Sequence, residues 1–498
     1  MKHLILLVVC CCSVQILAQE DFWAGRRPAD HAHKSIEQLV TEIAQDSVLM
    51  SRAIGIGGLP NRQYSRFQIL SSKASKEDLL TLTDHPSPVV RSYTFWALAD
   101  QKVEGISWIA RNHLSDTARV RTQFGCVGET KFVADFYLDL LTQSYLITED
   151  YYRPNHSRLE VSLQREIDSL VLRFHPHLDY FERLLMRHEP IDSDYEVIRA
   201  IVEKGNYLGL PALARYQKKQ DLAFILSFQD SASKKEIRFF DPKKCLFLAI
   251  EAFPDDYFLD FLEIYVEENW PKKIRRWELR EFYKACASYG HPRSQAIMRR
   301  VLDPEWKDSL NSDHFNFLAT ALGLHAKPYH EAMLFEMWEQ HNRLSIGGFQ
   351  FLSEKDPART APLLARYFAN FNTSYHSIYD DAFFFAALPF AIKHIPDAAS
   401  DLLVKKIGEE WGRKGILYGE FATQLKREEL LNVLLEEIAH NFDPRTILKF
   451  AEFALSYERD DIPDAIRSAW NHNDKLALSE EGKEAIGREL ELMLKEKK

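Results

Sequence analysis

The chain has 498 residues, with 63 Lys and Arg against 73 Asp and Glu, a formal net charge of -10; 46% of it is hydrophobic, 27% charged and 12% aromatic. These fractions exclude a disordered or collagen-like chain. Only 19 residues are glycine, so few positions take positive φ cheaply, which argues against a fold built on many tight hairpins.

Residues 1–19 read MKHLILLVVCCCSVQILAQ. Lys2 supplies a positive start, 4–17 is an apolar run, and Ile16 and Ala18 suit a signal peptidase. Residues 1–18 are therefore expected to be a cleaved signal peptide, and the mature chain exported, periplasmic or secreted. Cys10, Cys11 and Cys12 raise lipoprotein anchoring as a second reading, weakened by Val9 before Cys10. No later segment offers 18 uninterrupted apolar residues, so no transmembrane segment is expected in the mature chain. The longest candidate, 382–392, contains Pro389 and reads as a buried core helix. Cys126, Cys245 and Cys286 remain after the signal. They form either one disulfide plus a free thiol or three core cysteines.

Apolar residues then recur at helical spacing. Ile36, Leu39, Val40, Ile43, Ser47 and Val48 share one face, as do Leu159, Leu163, Ile167, Leu170, Val171 and Phe174, and, near the end, Ile486, Leu490, Met493 and Leu494. Period-2 runs bounded by glycine turns do not stand out, so the spacing predicts an all-α fold. Asp241-Pro242, Asp303-Pro304, Asp356-Pro357 and Asp443-Pro444 each precede an apolar-periodic segment, with His291-Pro292 and Ile395-Pro396 as further starts. Aspartate accepts the free amide hydrogens of a first turn, and proline is pre-set for the first helical position.

Residues 84–99 (DHPSPVVRSYTFWALA) and 115–127 (SDTARVRTQFGCV) align Val90-Arg91 on Val120-Arg121, a spacing of 30 residues. The stretch from 76 to 128 resembles the HEAT-repeat family, whose second helix often opens with Asp, Pro and a Val-Arg pair. The resemblance implies an α-solenoid of stacked antiparallel helix pairs, a HEAT-like or armadillo-like superhelix, with valine in the core and arginine reaching a neighbouring repeat. A lone helix pair cannot bury both apolar faces, so pairs stack. The mature chain would hold about ten to twelve pairs at roughly 40 residues each. The expected organisation is N-terminal helical repeats over 19–147, a linker at 148–156, and a continuing repeat region over 157–498 closed by a charged capping helix.

The chemistry that a catalyst needs is sparse. Ile54 to Gly58 (IGIGG) lacks the Lys-Ser/Thr of a phosphate loop and reads as a glycine-rich helix end or turn. His330-Glu331 begins like a zinc-protease helix, but Leu334 stands where the second histidine is needed. The pairs His31/His33 and His175/His177 lack a third ligand at a compelling spacing and read as exposed or capping residues. No metal or cofactor is expected. The carboxylate pairs Asp255-Asp256, Asp380-Asp381 and Asp460-Asp461 could serve a glycosidase or lyase, although such pairs more often begin helices. Lys272, Lys273, Arg275 and Arg276, with Trp277, form a basic stretch that an anionic partner could meet. Export and the acidic total argue against nucleic acid. Asn155 and Asn372 head glycosylation sequons, which matter only in a eukaryote.

The resulting expectation is an exported, non-enzymatic binding scaffold that offers a solenoid surface to another protein or an anionic polymer. Its candidate binding residues are Lys272, Lys273, Arg275, Arg276, Trp277, Asp380 and Asp381. The rival reading is an exported all-α carbohydrate-active enzyme using a carboxylate pair.

Overall fold

Helices begin where the sequence supplies an acceptor for the first free amides. Ser35 and Ser75 each head a capping box, closed by Gln38 and Asp78. Asp356 accepts the Arg359 amide at 3.0 Å and Asp443 that of Thr446 at 2.9 Å, each with proline next in the chain. The His291 ring accepts the Arg293 amide at 3.2 Å, and Pro396 opens its helix. Asp241 and the Asp303-Pro304 start lie outside the described residues. The structure is a computed structural model describing residues 27–55, 59–142, 161–230, 242–269, 276–302, 312–370, 378–409, 413–473, 475 and 480–496.

The chain is all-α in class, with one small sheet among the described residues, and divides after Cys245 into two compact units. The linker expected at 148–156 lies outside the described residues. Unit one runs α1 (Ile36–Asp46), β1 (Val48–Ile54), β2 (Leu59–Pro60), α2 (Arg62–Lys73), α3 (Lys76–Leu82), α4 (Pro88–Asp100), α5 (Ile106–Asn112), β3 (Arg119–Gly125), β4 (Val127–Phe132) and α6 (Val133–Thr142). It continues through α7 (Val161–Phe174), α8 (Asp179–Arg187), α9 (Tyr195–Glu203), α10 (Leu210–Arg215) and α11 (Leu222–Leu226).

The strand order is β2-β1-β3-β4, with β1 and β3 parallel and the outer pairs antiparallel. Two expectations are corrected here. First, α1 stops at Asp46: Ser47 turns left-handed at φ 54° and Val48 starts β1, so neither extends the helical face. Second, 115–127 holds a strand where a repeat helix was expected, so Val120-Arg121 lies on β3 and the spacing of 30 relates a helix to a strand. One tight hairpin joins β3 to β4, where Phe124 pairs with Val127 around Gly125, at φ 57°, and Cys126. Cys126 is exposed and Cys245 and Cys286 are buried, all three with free thiols, so only two are core cysteines. Of the helix end or turn expected at IGIGG, the turn is found: Ile54 is the last residue of β1 and Gly55 turns at φ 71°, while 56–58 lie outside the described residues.

The register of β1 on β3 breaks between Met50 and Ile54. Tyr93 of α4 serves Met50 next to this irregularity: the Met50 amide donates to its hydroxyl at 2.7 Å, and the hydroxyl donates to the Met50 carbonyl at 2.9 Å. Around it Tyr64, Phe67, Trp96, Phe124 and Phe136 form a continuous aromatic core. Arg91 takes the inter-element role expected of a repeat arginine. Its guanidinium donates to both Asp116 oxygens, at 2.8 and 3.0 Å, and to the His85 and Pro86 carbonyls.

Unit two contains most of α12 (Pro242–Ala252), then α13 (Leu259–Asn269), α14 (Arg276–Ala287), α15 (Pro292–Arg299), α16 (Ser312–Leu324), α17 (Glu331–His341), α18 (Ile346–Lys355) and α19 (Pro357–Ala369). The remainder is α20 (Ile378–His394), α21 (Pro396–Glu409), α22 (Arg413–Leu425), α23 (Glu428–His440), α24 (Pro444–Leu455), α25 (Ile462–Asn471) and α26 (Glu480–Glu496). Here each even-numbered helix from α14 packs on the next even one as far as α26, and α19, α21, α23 and α25 pack in the same next-but-one manner. Stacked helix pairs give this pattern, because each pair covers the apolar faces its neighbour leaves open. The segment 382–392 lies in α20, with Phe384, Ala387, Leu388 and Ala391 fully buried. Among the described residues no helix is long and apolar enough to cross a membrane.

Ion pairs mark the repeat of unit two. Arg293 bridges Asp260 and Glu263, Arg427 bridges Asp397, and Arg459 bridges Glu428, at sequence separations of 30 to 33. Each arginine thus reaches back about one helix pair. Apart from the part-buried Arg293–Glu263 bonds these contacts are exposed, and an exposed pair contributes roughly 0–1 kcal/mol.

Candidate functional site

The residues singled out from sequence do not assemble into one described site. Lys272, Lys273 and Arg275 lie outside the described residues. Arg276 and Trp277 open α14, and Asp380 and Asp381 lie in the first turn of α20; the side chains of these four also lie outside the description. Between α14 and α20 the layer passes through α16 and α18, three interhelical steps.

The other carboxylate pairs serve the fold. Asp255 accepts the Tyr257 amide at 3.0 Å as the cap of a short helical turn. Asp461 precedes α25 and binds the Arg459 guanidinium at 2.5 and 2.9 Å, which holds its carboxyl below the usual range. His330 is fully buried, with its Nδ1 at 3.1 Å from the His325 carbonyl, and burial lowers its pKa. His31 is buried as well, against the expectation of an exposed or capping residue, whereas His33 and His177 are exposed. Among the described residues no group of three or more His, Cys, Asp or Glu could hold a metal ion.

Unit one also buries charge under α6. Lys131 of β4 bonds Asp139 at 2.6 Å and Glu129 at 2.8 Å, and Arg183 of α8 meets the same Asp139. One turn earlier, Asp135 is completely buried and accepts the amides of Asp179 and Tyr180, at 3.0 and 2.8 Å. It thereby caps α8 from another element. Burial pushes its carboxyl up to about 6, against the two amides that favour the charged form. These groups explain how β4, α6 and α8 are fixed together.

Two cavities differ in size and lining. One, of about 630 Å³, lies between α25 and α26. Arg467 holds Glu491 there at 2.7 and 3.1 Å, Arg488 lies 3.6 Å from Glu484, and Lys495 is also on the lining. The other, of about 350 Å³, lies in unit one against β1 and α2. Arg27 and Pro28 wall it where the first helical turn begins, Arg52 and Pro60 come from β1 and β2, and Tyr64, Ser65 and Gln68 from the start of α2. Asn61 sets this geometry. Its side-chain oxygen caps the Tyr64 amide at 2.8 Å and its Nδ2 donates to the Ser51 carbonyl at 2.7 Å, which locks the start of α2 to the strand carrying Arg52. Among the described residues its charged lining side chains are Arg27 and Arg52.

Sequence reasoning missed this cavity because Arg27 and Arg52 lie far apart in the chain. The available signal was Asn61 ahead of an amphipathic stretch, which marks a helix start, not a site. The chain matches no protein-family model, no curated protein and no solved structure.

Proposed function

We propose that the protein is an exported binding scaffold whose helical repeats present an extended surface to a partner protein or an anionic polymer. The observation that carries this reading is the next-but-one packing of α14 through α26. Such an arrangement grows by repetition and leaves the outward side chains of successive helices free to vary. The use of Asp255 and Asp461 in caps and ion pairs supports scaffold over glycosidase or lyase, since catalysis by a carboxylate pair needs both groups directed at a substrate.

Photo-crosslinking residues placed at the exposed positions Leu324, Leu417 and Leu492, on α16, α22 and α26 of one layer, test the reading in the native source. A shared adduct from at least two positions is the expected result. No adduct at any of them, or turnover of a polysaccharide by the purified chain, would overturn it.

A further inference from the structure

We propose that His188 and Asp194 form a proton-operated latch where α8 gives way to α9: a proton gained by the His188 ring moves its Nε2 hydrogen from the Tyr216 hydroxyl to the Asp194 carboxylate. Both residues are almost wholly buried, His188 at 3% and Asp194 at 1% exposure. Asp194 closes a short helical turn, Asp192–Asp194, directly before α9. Its Oδ1 accepts from the Arg173 guanidinium of α7 and from the Ser193 hydroxyl, the latter at 3.3 Å. Its Oδ2 accepts no hydrogen bond, and the His188 Nε2 stands 3.8 Å away. A buried carboxylate oxygen without a donor is costly, so a donor brought to it is held strongly. The next helix pair supplies the comparison. Asp221 closes the turn Lys219–Asp221 directly before α11 and is equally buried. Arg199, 22 residues earlier, meets it as Arg173, 21 residues earlier, meets Asp194. There the Tyr195 hydroxyl lies 3.1 and 3.0 Å from the two carboxylate oxygens, so both have a donor in reach. At Asp194 the second oxygen faces instead a ring whose charge changes near neutral pH.

The hydrogens on Tyr216 fix the starting state. Tyr216 donates its one hydroxyl hydrogen to the Ile191 carbonyl at 2.9 Å and accepts the Ile191 amide at 3.3 Å. Toward the His188 Nε2, 3.4 Å away, it can only accept, so Nε2 carries the hydrogen and Nδ1 takes up the added proton. The neutral ring leaves its hydrogen with the hydroxyl, the nearer acceptor. The charged ring favours the carboxylate, because a charge-assisted bond in a buried site is stronger than one to a neutral oxygen. Burial is the largest influence on the ring and holds its pKa below the usual 6.5, while Asp194 draws it up. Arg215, at the end of α10, and Arg187 oppose the charge, and Glu189 favours it. Arg215 also bonds the Met186 and His188 carbonyls, at 2.7 and 3.4 Å, and Asp192 acts on Tyr216. With its pKa lowered by folding, neutral His188 supports the fold above about pH 6.5, and that support is lost as pH falls through the lowered value. Closure on Asp194 offsets part of the loss and draws the start of α9 onto the end of α8.

The test is an NMR titration of the full chain, its histidine rings labelled with nitrogen and carbon isotopes, from about pH 8 to about pH 5. The His188 signal is assigned by its absence in His188→Gln. In the parent chain Nε2 should keep its hydrogen throughout while Nδ1 takes the proton, with a midpoint below that of an unperturbed ring. Asp194→Asn should lower the midpoint by about half a pH unit or more, roughly a threefold loss of proton affinity. Tyr216→Phe, which removes the acceptor of the neutral ring, should raise it. A merely structural role for these residues would not move the midpoint in opposite directions. Proton uptake at Nε2, a ring still neutral at the acid end, a midpoint indifferent to Asp194→Asn, or one not raised by Tyr216→Phe would each overturn the proposal. If Asp194→Asn fails to fold, the parent spectra and Tyr216→Phe decide.

Discussion

Gly323 of α16 and Gly347 of α18 stand so close that a Cβ on Gly347 would lie 2.5 Å from the Gly323 carbonyl oxygen. A Cβ on Gly323 would in turn lie 1.8 Å from the Ser345 hydroxyl. Ser345 caps α18 through the Gly348 amide and also donates to the Ala319 carbonyl of α16 at 2.9 Å. Two backbones thus meet where neither residue carries a side chain.

Gly347→Ala should therefore destabilise unit two by about 1–3 kcal/mol, since backbone and not a flexible side chain must give way. Gly290→Ala, where nothing lies within 4 Å, should stay within about 0.5 kcal/mol of the parent. Chemical denaturation compares the two, and equal midpoints would contradict the close approach.

Arg91 and Asp116 form a mostly buried, two-bond pair. Arg91→Met leaves the Asp116 carboxylate short of its partner and strips two donors from the His85 and Pro86 carbonyls. A loss of about 2–4 kcal/mol is expected. Arg91→Lys should recover less than half of it, because an ammonium cannot span both carboxylate oxygens and both carbonyls. Denaturation midpoints of the two variants check this.

Tyr93→Phe removes the hydroxyl that both accepts from and donates to Met50. Two backbone groups of β1 then lose a partner, at a cost of about 1–3 kcal/mol. Hydrogen exchange should show the Met50 amide deprotected well beyond that of Leu49. Unchanged protection would mean that the strand finds other partners.

Asp135 makes stability depend on pH. Its carboxyl is raised by burial to about 6, with Asp179 and Asp139 adding repulsion, against an ordinary value of 3.8. The protonated form is therefore favoured in the fold. The stabilisation that this group contributes is present below about pH 4 and is lost as pH rises through about 6. The span is on the order of 3 kcal/mol. Asp135→Asn should flatten that part of the stability profile between pH 4 and 7. A parallel profile for the variant would remove Asp135 as its source.

The strand β3 was partly legible. Along RVRTQF, Val120 and Thr122 are buried while Arg119 and Arg121 are exposed, the alternation of a half-covered strand. The Val-Arg match to a repeat helix competed with that signal, and a segment of seven residues fits either reading. The Gly125-Cys126 turn lacks the Asn-Gly or Asp-Gly pair that usually marks a two-residue hairpin.

The sequence by itself determined the helical class and many helix starts, because capping and the 3.6-residue period act within a few residues. It also anticipated that Arg91 would reach beyond its own helix. Only the tertiary structure decided that Val48–Ile54 and Arg119–Gly125 pair with each other in one sheet, since that parallel pairing joins residues some 70 apart in the chain. The same holds for the β1–α2 cavity: Arg27 and Arg52 lie far apart in the chain and line one cavity only through packing, which order along the chain does not reveal.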